Sequence, residues 1–172
     1  RMSRGLGDVY KRQMEDTLEI INATLGGMVK GNELTVEQSA AVLTVAMKAY
    51  EVGKKALDFL IANSGSRRNL EVDFFGGEPL MNWEVVKQLV AYGRSLEEEH
   101  HKKFRFTITT NGVLLNDEIL EFVNKEMGNM VLSIDGRKEV HDRMRPHRGG
   151  QGSYDEIVPK FKKAAESRGQ MN

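Results

Sequence analysis

Cysteine is missing from all 172 residues of this sequence. That excludes disulfides, thiolate nucleophiles and thiolate-held metal centres within the chain. Net charge is missing as well: 25 basic and 25 acidic side chains balance, so no overall field favours nucleic acid or an anionic membrane. No apolar run is long enough to span a bilayer, and the N-terminus has no apolar signal core. The expectation is a cytoplasmic protein with neither nucleic acid nor membrane among its partners. No GxGxxG follows any strand-like stretch, which disfavours a Rossmann-type oxidoreductase.

What is present suffices for one domain with a core, 40% of the residues being apolar. The first thirteen residues, RMSRGLGDVYKRQ, carry four basic side chains, have no apolar periodicity and begin with Arg1. They read as an adapter-like, non-native tail on a fragment, the rival being a short basic targeting arm. From Met14 to Lys30 the residues Leu18, Ile21, Leu25 and Met28 recur at helical spacing, weakened by Gly26 and Gly27. Thr35 with Gln38 fits a capping box ahead of a second helical stretch. VAMKAYEVGKK contains no proline, so one nearly continuous helix is expected from about Val36 to Ala62. Within it YEVGKKALDFLIAN is amphipathic, with Val52, Leu57, Leu60 and Ile61 expected inward, and SGSRR ends it.

Three strand candidates come next: Leu70–Phe75, Phe104–Thr109 and Met130–Asp135, rich in β-branched and aromatic residues. WEVVKQLVAYGRSLEEE and DEILEFVNKE lie between them as crossover helices. The pattern is βαβαβ, and the strands should pair in parallel in sequence order. A last helix begins near Ser153 and contains Pro159, which should kink or restart it.

Each strand leads at its C-terminal end into a short polar motif: Gly76-Gly77-Glu78-Pro79, Thr110-Asn111-Gly112 and Ser133-Ile134-Asp135-Gly136. Parallel α/β sheets bind ligands at that rim. Glycine pairs let a ligand approach backbone carbonyls, which accept hydrogen bonds from a cationic amine, and Glu78 adds negative charge. The plain structural alternative is a glycine turn capped by Asn82.

FFGGEPL, TITTNG, LSIDG and HDRMRP, in this order and spacing, resemble the adenosylmethionine-binding motifs of radical SAM enzymes. The fit over residues 50–172 is similar to SPASM-type peptide maturases, in particular the SCIFF maturases that form thioethers in a cysteine-rich precursor peptide. The resemblance implies an α/β fold: a partial (β/α) barrel with three parallel strands, preceded by a helical N-terminal extension at residues 14–49 unrelated to the family. It implies S-adenosylmethionine as cofactor, cleaved in the family by a [4Fe-4S] cluster to a 5′-deoxyadenosyl radical, and a precursor peptide as partner. By position, Gly76, Gly77 and Glu78 resemble the segment that receives the methionine ammonium. Ser133 and Arg145 resemble the pair at the ribose and carboxylate end, a guanidinium offering two parallel donors to a carboxylate. Thr110 and Asn111 would line the pocket.

The family's CxxxCxxC loop should precede Tyr50, and it is absent. The resemblance therefore implies a piece of a peptide-modifying enzyme that keeps part of the cofactor site, has no catalytic or metal-ligating residues of its own and is inactive. The alternative is a noncatalytic α/β module for a small amine- or carboxylate-bearing ligand. Asp135 reads equally as a turn cap. His141 and Arg143 are expected to be solvated, as are His100 and His101 at a helix end. His147 lies in a Gly-rich basic loop without a Walker pattern. Glu78, Asp135 and Asp142 form a further candidate set for acid-base work, with separations that sequence does not set.

Overall fold

The computed structural model describes residues 36–169, with side chains from Met47 onward. The expectations for the tail, for the helix at Met14–Lys30 and for the cap at Thr35 fall outside these residues. The described chain divides into two compact units: one holds the long first helix and Glu84–Lys102, the other Asn69–Trp83 and everything from Lys103.

In the first unit, helix α1 runs unbroken over Val36–Asn63, as the absence of proline led us to expect. Tyr50 and Leu57 are buried. A Cβ on Gly53 would stand 2.5 Å from Leu89 Cδ1, so glycine allows α1 to lie close against α2, Trp83–Leu96. Val52 is not inward as expected but 68% exposed. It sits two residues, about 200° of helical turn, from Tyr50, on the opposite side. Leu60 and Ile61 are half-buried. The Ser64 hydroxyl donates to Ile61 O at 2.7 Å and ends the helix. Lys102 then closes the exit loop through Gly65 O at 2.6 Å and Arg67 O at 2.8 Å.

The second unit contains a three-stranded sheet of β1 (Asn69–Phe74), β2 (Lys103–Thr110) and β3 (Asn129–Leu132), parallel and in sequence order. Register sets Leu70 against Phe104, Val72 against Phe106 and Phe74 against Ile108. Leu70, Phe104, Phe106 and Ile108 are buried on one face. The other face is polar, with Glu71 3.6 Å from Arg105 and Thr109 donating to Asp73 at 3.4 Å. Such alternation differs from the near-continuous apolar strands of a sheet covered on both sides. Strand β3 is shorter than the sequence suggests. One further bond, Ser133 N to Thr110 O at 3.0 Å, continues the pairing before the chain turns at Gly136.

Helix α3, Asp117–Glu126, is capped by Asn116, whose side chain accepts from Ile119 N at 2.9 Å, with Asp117 and Glu118 in its first turn. Helix α4 spans Lys138–Met144 and α5 spans Tyr154–Arg168. Pro159 does not restart α5. It lies in the second turn, where the missing N–H removes a single bond, and the buried Ile157, Phe161 and Ala164 hold the helix on both sides of it.

Candidate functional site

The C-terminal ends of the strands bring the three motifs together, beginning with the turn after β1. Gly76 and Gly77 have φ of 97° and 58°, a left-handed conformation that favours glycine. The space beside both is open, with no atom within 4 Å of a Cβ built on either. Backbone approach by a ligand is therefore unobstructed. Glu78, not Asn82, provides the cap after this turn: its carboxylate accepts from Leu80 N at 3.1 Å, at the head of a 3-10 turn over Pro79–Asn82.

The same carboxylate joins two strand ends. Glu78 Oε1 accepts from the Thr110 hydroxyl at 2.7 Å, and Oε2 accepts from Asn111 N at 2.8 Å. Thr110 Oγ1 in turn accepts from Gly112 N at 3.0 Å. Thr110 is thus buried behind the rim and does not line the pocket. Gly112 is required twice over, since its φ is 81° and an added Cβ would lie 2.0 Å from Phe161 Cε1.

On the β3 side the Asp135 carboxylate faces Arg145, with Nε at 2.8 Å and Nη2 at 3.3 Å. The Arg145 hydrogen bond holds the Asp135 carboxyl below the usual aspartate range. Both side chains are substantially open to solvent, so the pair is exchangeable. His141 contradicts the expectation of a solvated side chain. It is 1% exposed, and its ring contacts Asp135 N at 3.2 Å and Ser153 Oγ at 3.0 Å. It lies on the inner side of α4, one turn before Arg145; that spacing of four, His141 to Arg145, was the available signal. Arg143 is exposed, as expected.

Between these two sides lies a cavity of about 380 Å³. Glu78 and Asn111 face it from one side, His141, Arg145, His147 and Ser153 from the other, with Met81, Val113 and Leu114 apolar. Of the residues expected from sequence, Glu78, Asn111 and Arg145 line the cavity; Gly76 and Gly77 stand exposed at the rim, and Ser133 is half-buried at the end of β3.

The other candidates are accounted for locally. Asp142 accepts from Tyr154 N at 2.8 Å and pairs with Lys138 at 2.9 Å, so Glu78, Asp135 and Asp142 each have separate partners. The Tyr154 backbone bond, then Lys138, hold the Asp142 carboxyl below its usual range. His147 faces Glu156 at 3.2 Å, and its backbone closes the glycine loop through Gln151 O at 2.9 Å. His100 and His101 are exposed at the helix end.

The donor set does not fit an iron-sulfur cluster. Cysteine is absent from the chain, and among the described residues no three His, Asp or Glu side chains gather where a metal could bind. The cavity has a carboxylate, Glu78, at one side and a guanidinium, Arg145, at the other, the latter suited to a ligand carboxylate, and the open backbone of Gly76 and Gly77 lies at the rim next to Glu78. Among the described residues no helix is long and apolar enough to cross a membrane.

The chain is similar to several known proteins. The chain is 29% identical over 104 residues to the uncharacterized protein MJ0907 of Methanocaldococcus jannaschii, covering 60% of this chain and 34% of that one. It is 26% identical over 98 residues to the cysteine-type anaerobic sulfatase-maturating enzyme of Clostridium novyi, covering 56% of this chain and 26% of the enzyme. The chain thus spans about a third or less of the length of these relatives. Its fold is similar to the solved structure of native anSMEcpe with bound AdoMet and Kp18Cys peptide, with a TM-score of 0.53, 23% identity, and coverage of 69% of this chain and 30% of that one. The model of the Radical SAM superfamily matches residues 47–169, most of the sequence and all three rim motifs, and the chain belongs to that superfamily.

Proposed function

We propose that the chain is a piece of a radical SAM enzyme that modifies peptides, of SPASM type and similar to the thioether-forming SCIFF maturases, and that it retains the protein side of the S-adenosylmethionine site without the means to cleave the cofactor. The observation that carries this reading is the pairing, across one cavity, of Glu78, which ends the exposed Gly76-Gly77 turn, with Arg145. In this reading the backbone at Gly76 and Gly77, together with Glu78, receives the methionine ammonium. Arg145 receives the carboxylate, sharing its guanidinium with Asp135, and Ser133, Thr110 and Asn111 shape the ribose end and the wall behind it. S-adenosylmethionine supplies an adenosyl group to the chemistry of the family. This chain contributes binding and orientation only, because the ligands of the [4Fe-4S] cluster are missing. A sulfatase-maturating relative and a fold neighbour solved with a peptide support a peptide or protein substrate for the whole enzyme. A cytoplasmic location belongs to the same reading.

Hydrogen bonds to charged groups contribute about 1.5 to 3 kcal/mol each at best, and part of that is offset by fixing the ligand in a half-open site. Calorimetric titration of the chain with S-adenosylmethionine should therefore show weak binding or none, any binding being lost in Arg145→Ala. Tight binding without a cluster, still dependent on Arg145, would favour instead a noncatalytic module for small amine- or carboxylate-bearing ligands. Weak binding indifferent to Arg145 would contradict the assignment of the carboxylate end.

A further inference from the structure

The superfamily resemblance does not assign a role to His141, yet this ring is among the most buried polar groups described, at 1% exposure. Its hydrogen bonds determine its own protonation. Asp135 N can only donate, so Nδ1, 3.2 Å away, must be an acceptor without a proton. The neutral ring then carries its proton on Nε2, directed at Ser153 Oγ 3.0 Å away. Ser153 in turn donates to Arg145 O at 2.6 Å. One ring thus holds the backbone of Asp135 on one side and, through Ser153, the backbone of Arg145 on the other. These are the two residues whose side chains form the ion pair at the cavity. Tyr154 closes the remaining side edge-on, its ring centre 5.8 Å away.

We propose that His141 is a positioning residue: in its Nε2–H tautomer it aligns Asp135 with Arg145 and so presents the guanidinium to a ligand carboxylate. A histidine buried only for packing would fill the same space without linking both backbones of the pair. The assignment of the ligand carboxylate rests on the cofactor reading above, whereas the alignment of the pair does not.

The test is NMR on the full 172-residue chain labelled with 15N in histidine and arginine. Arg145 Nε–H, assigned by its disappearance in Arg145→Lys, should give a signal displaced from the free-arginine position by its bond to Asp135, and His141 should show the Nε2–H tautomer. His141→Gln, whose amide offers an acceptor oxygen and a donor nitrogen, should keep the displaced signal. His141→Leu should lose it while far-UV circular dichroism and cooperative urea unfolding report a folded chain. Should His141→Leu fail to fold, Ser153→Ala decides, since it cuts only the arm to Arg145: loss of the displaced signal upholds the proposal and an unchanged signal overturns it. An Nδ1–H tautomer in the wild type, or a displaced Arg145 signal in folded His141→Leu, would also overturn it. Adding S-adenosylmethionine to the same sample separates the two ideas: an unmoved Arg145 signal counts against the cofactor reading and leaves the alignment standing on the variants.

Discussion

The two sides of the cavity use the same chemistry, a carboxylate meeting hydrogen-bond donors, in opposite ways. At the exits of β1 and β2, Glu78 accepts from two backbone N–H groups and from the buried Thr110 hydroxyl. Its partners belong to the main chain or the core, so it ties strand ends together. At the exit of β3, Asp135 meets the far end of a long side chain, Arg145, in an exposed pair. A ligand carboxylate can share that guanidinium with little disturbance to the fold. The difference separates a side of the site that maintains the fold from a side that is free to exchange partners, although the two face each other across one cavity.

Substitutions should divide along the same line. The largest effect is expected from Gly112→Ala, which meets both the left-handed backbone and the Phe161 ring; a loss of about 2 to 4 kcal/mol in urea unfolding is expected. Glu78→Ala should come second at about 1 to 3 kcal/mol, because it leaves Thr110 and the rim N–H groups without their acceptor. An unchanged midpoint for Glu78→Ala would mean that water replaces the carboxylate and the tie is dispensable.

Acid should act on the opposite side. Asp135 and Asp142 have depressed carboxyl pKa values in the folded chain, so their stabilisation is present above the ordinary aspartate value, about 3.9, and is lost as pH falls through the folded values. Unfolding midpoints should fall below about pH 4, and Asp142→Asn should flatten that dependence. A slope unaffected by Asp142→Asn would assign the acid sensitivity elsewhere. The smallest effect on stability is expected for Arg145→Ala, a slight lowering of the unfolding midpoint from loss of the exposed pair with Asp135, the main loss falling on ligand binding. A large loss of stability would abolish the distinction between the two sides.

How far the sequence foretold these features depends on the range of the forces involved. The unbroken α1 is explained by a stretch without proline, and the parallel strands by apolar, β-branched runs separated by helices of crossover length. The rim motifs could be located because glycine and polar residues cluster directly after each strand. Contacts between distant segments were not legible. Glu78 looked like free negative charge, because its partners Thr110 and Asn111 lie more than thirty residues away. His141 looked solvated because its short, charged helix KEVHDRM gives little apolar periodicity to mark the inner face, and Ser153, its partner, comes from the next helix boundary. Val52 was misplaced for the opposite reason. The apolar residues of α1 are numerous enough to allow more than one inward face, and close packing at Gly53 selected the one that carries Tyr50 and Leu57.

The central claim is that this chain keeps one part of a radical SAM site and lacks the part that cleaves the cofactor. The direct measurement is anaerobic reconstitution of the chain with iron and sulfide, then addition of S-adenosylmethionine and dithionite and a search for 5′-deoxyadenosine. The account predicts no stable cluster absorbance and no 5′-deoxyadenosine above a protein-free control, because no thiolate is present to hold iron. A stable [4Fe-4S] cluster with release of 5′-deoxyadenosine from the purified chain would contradict it.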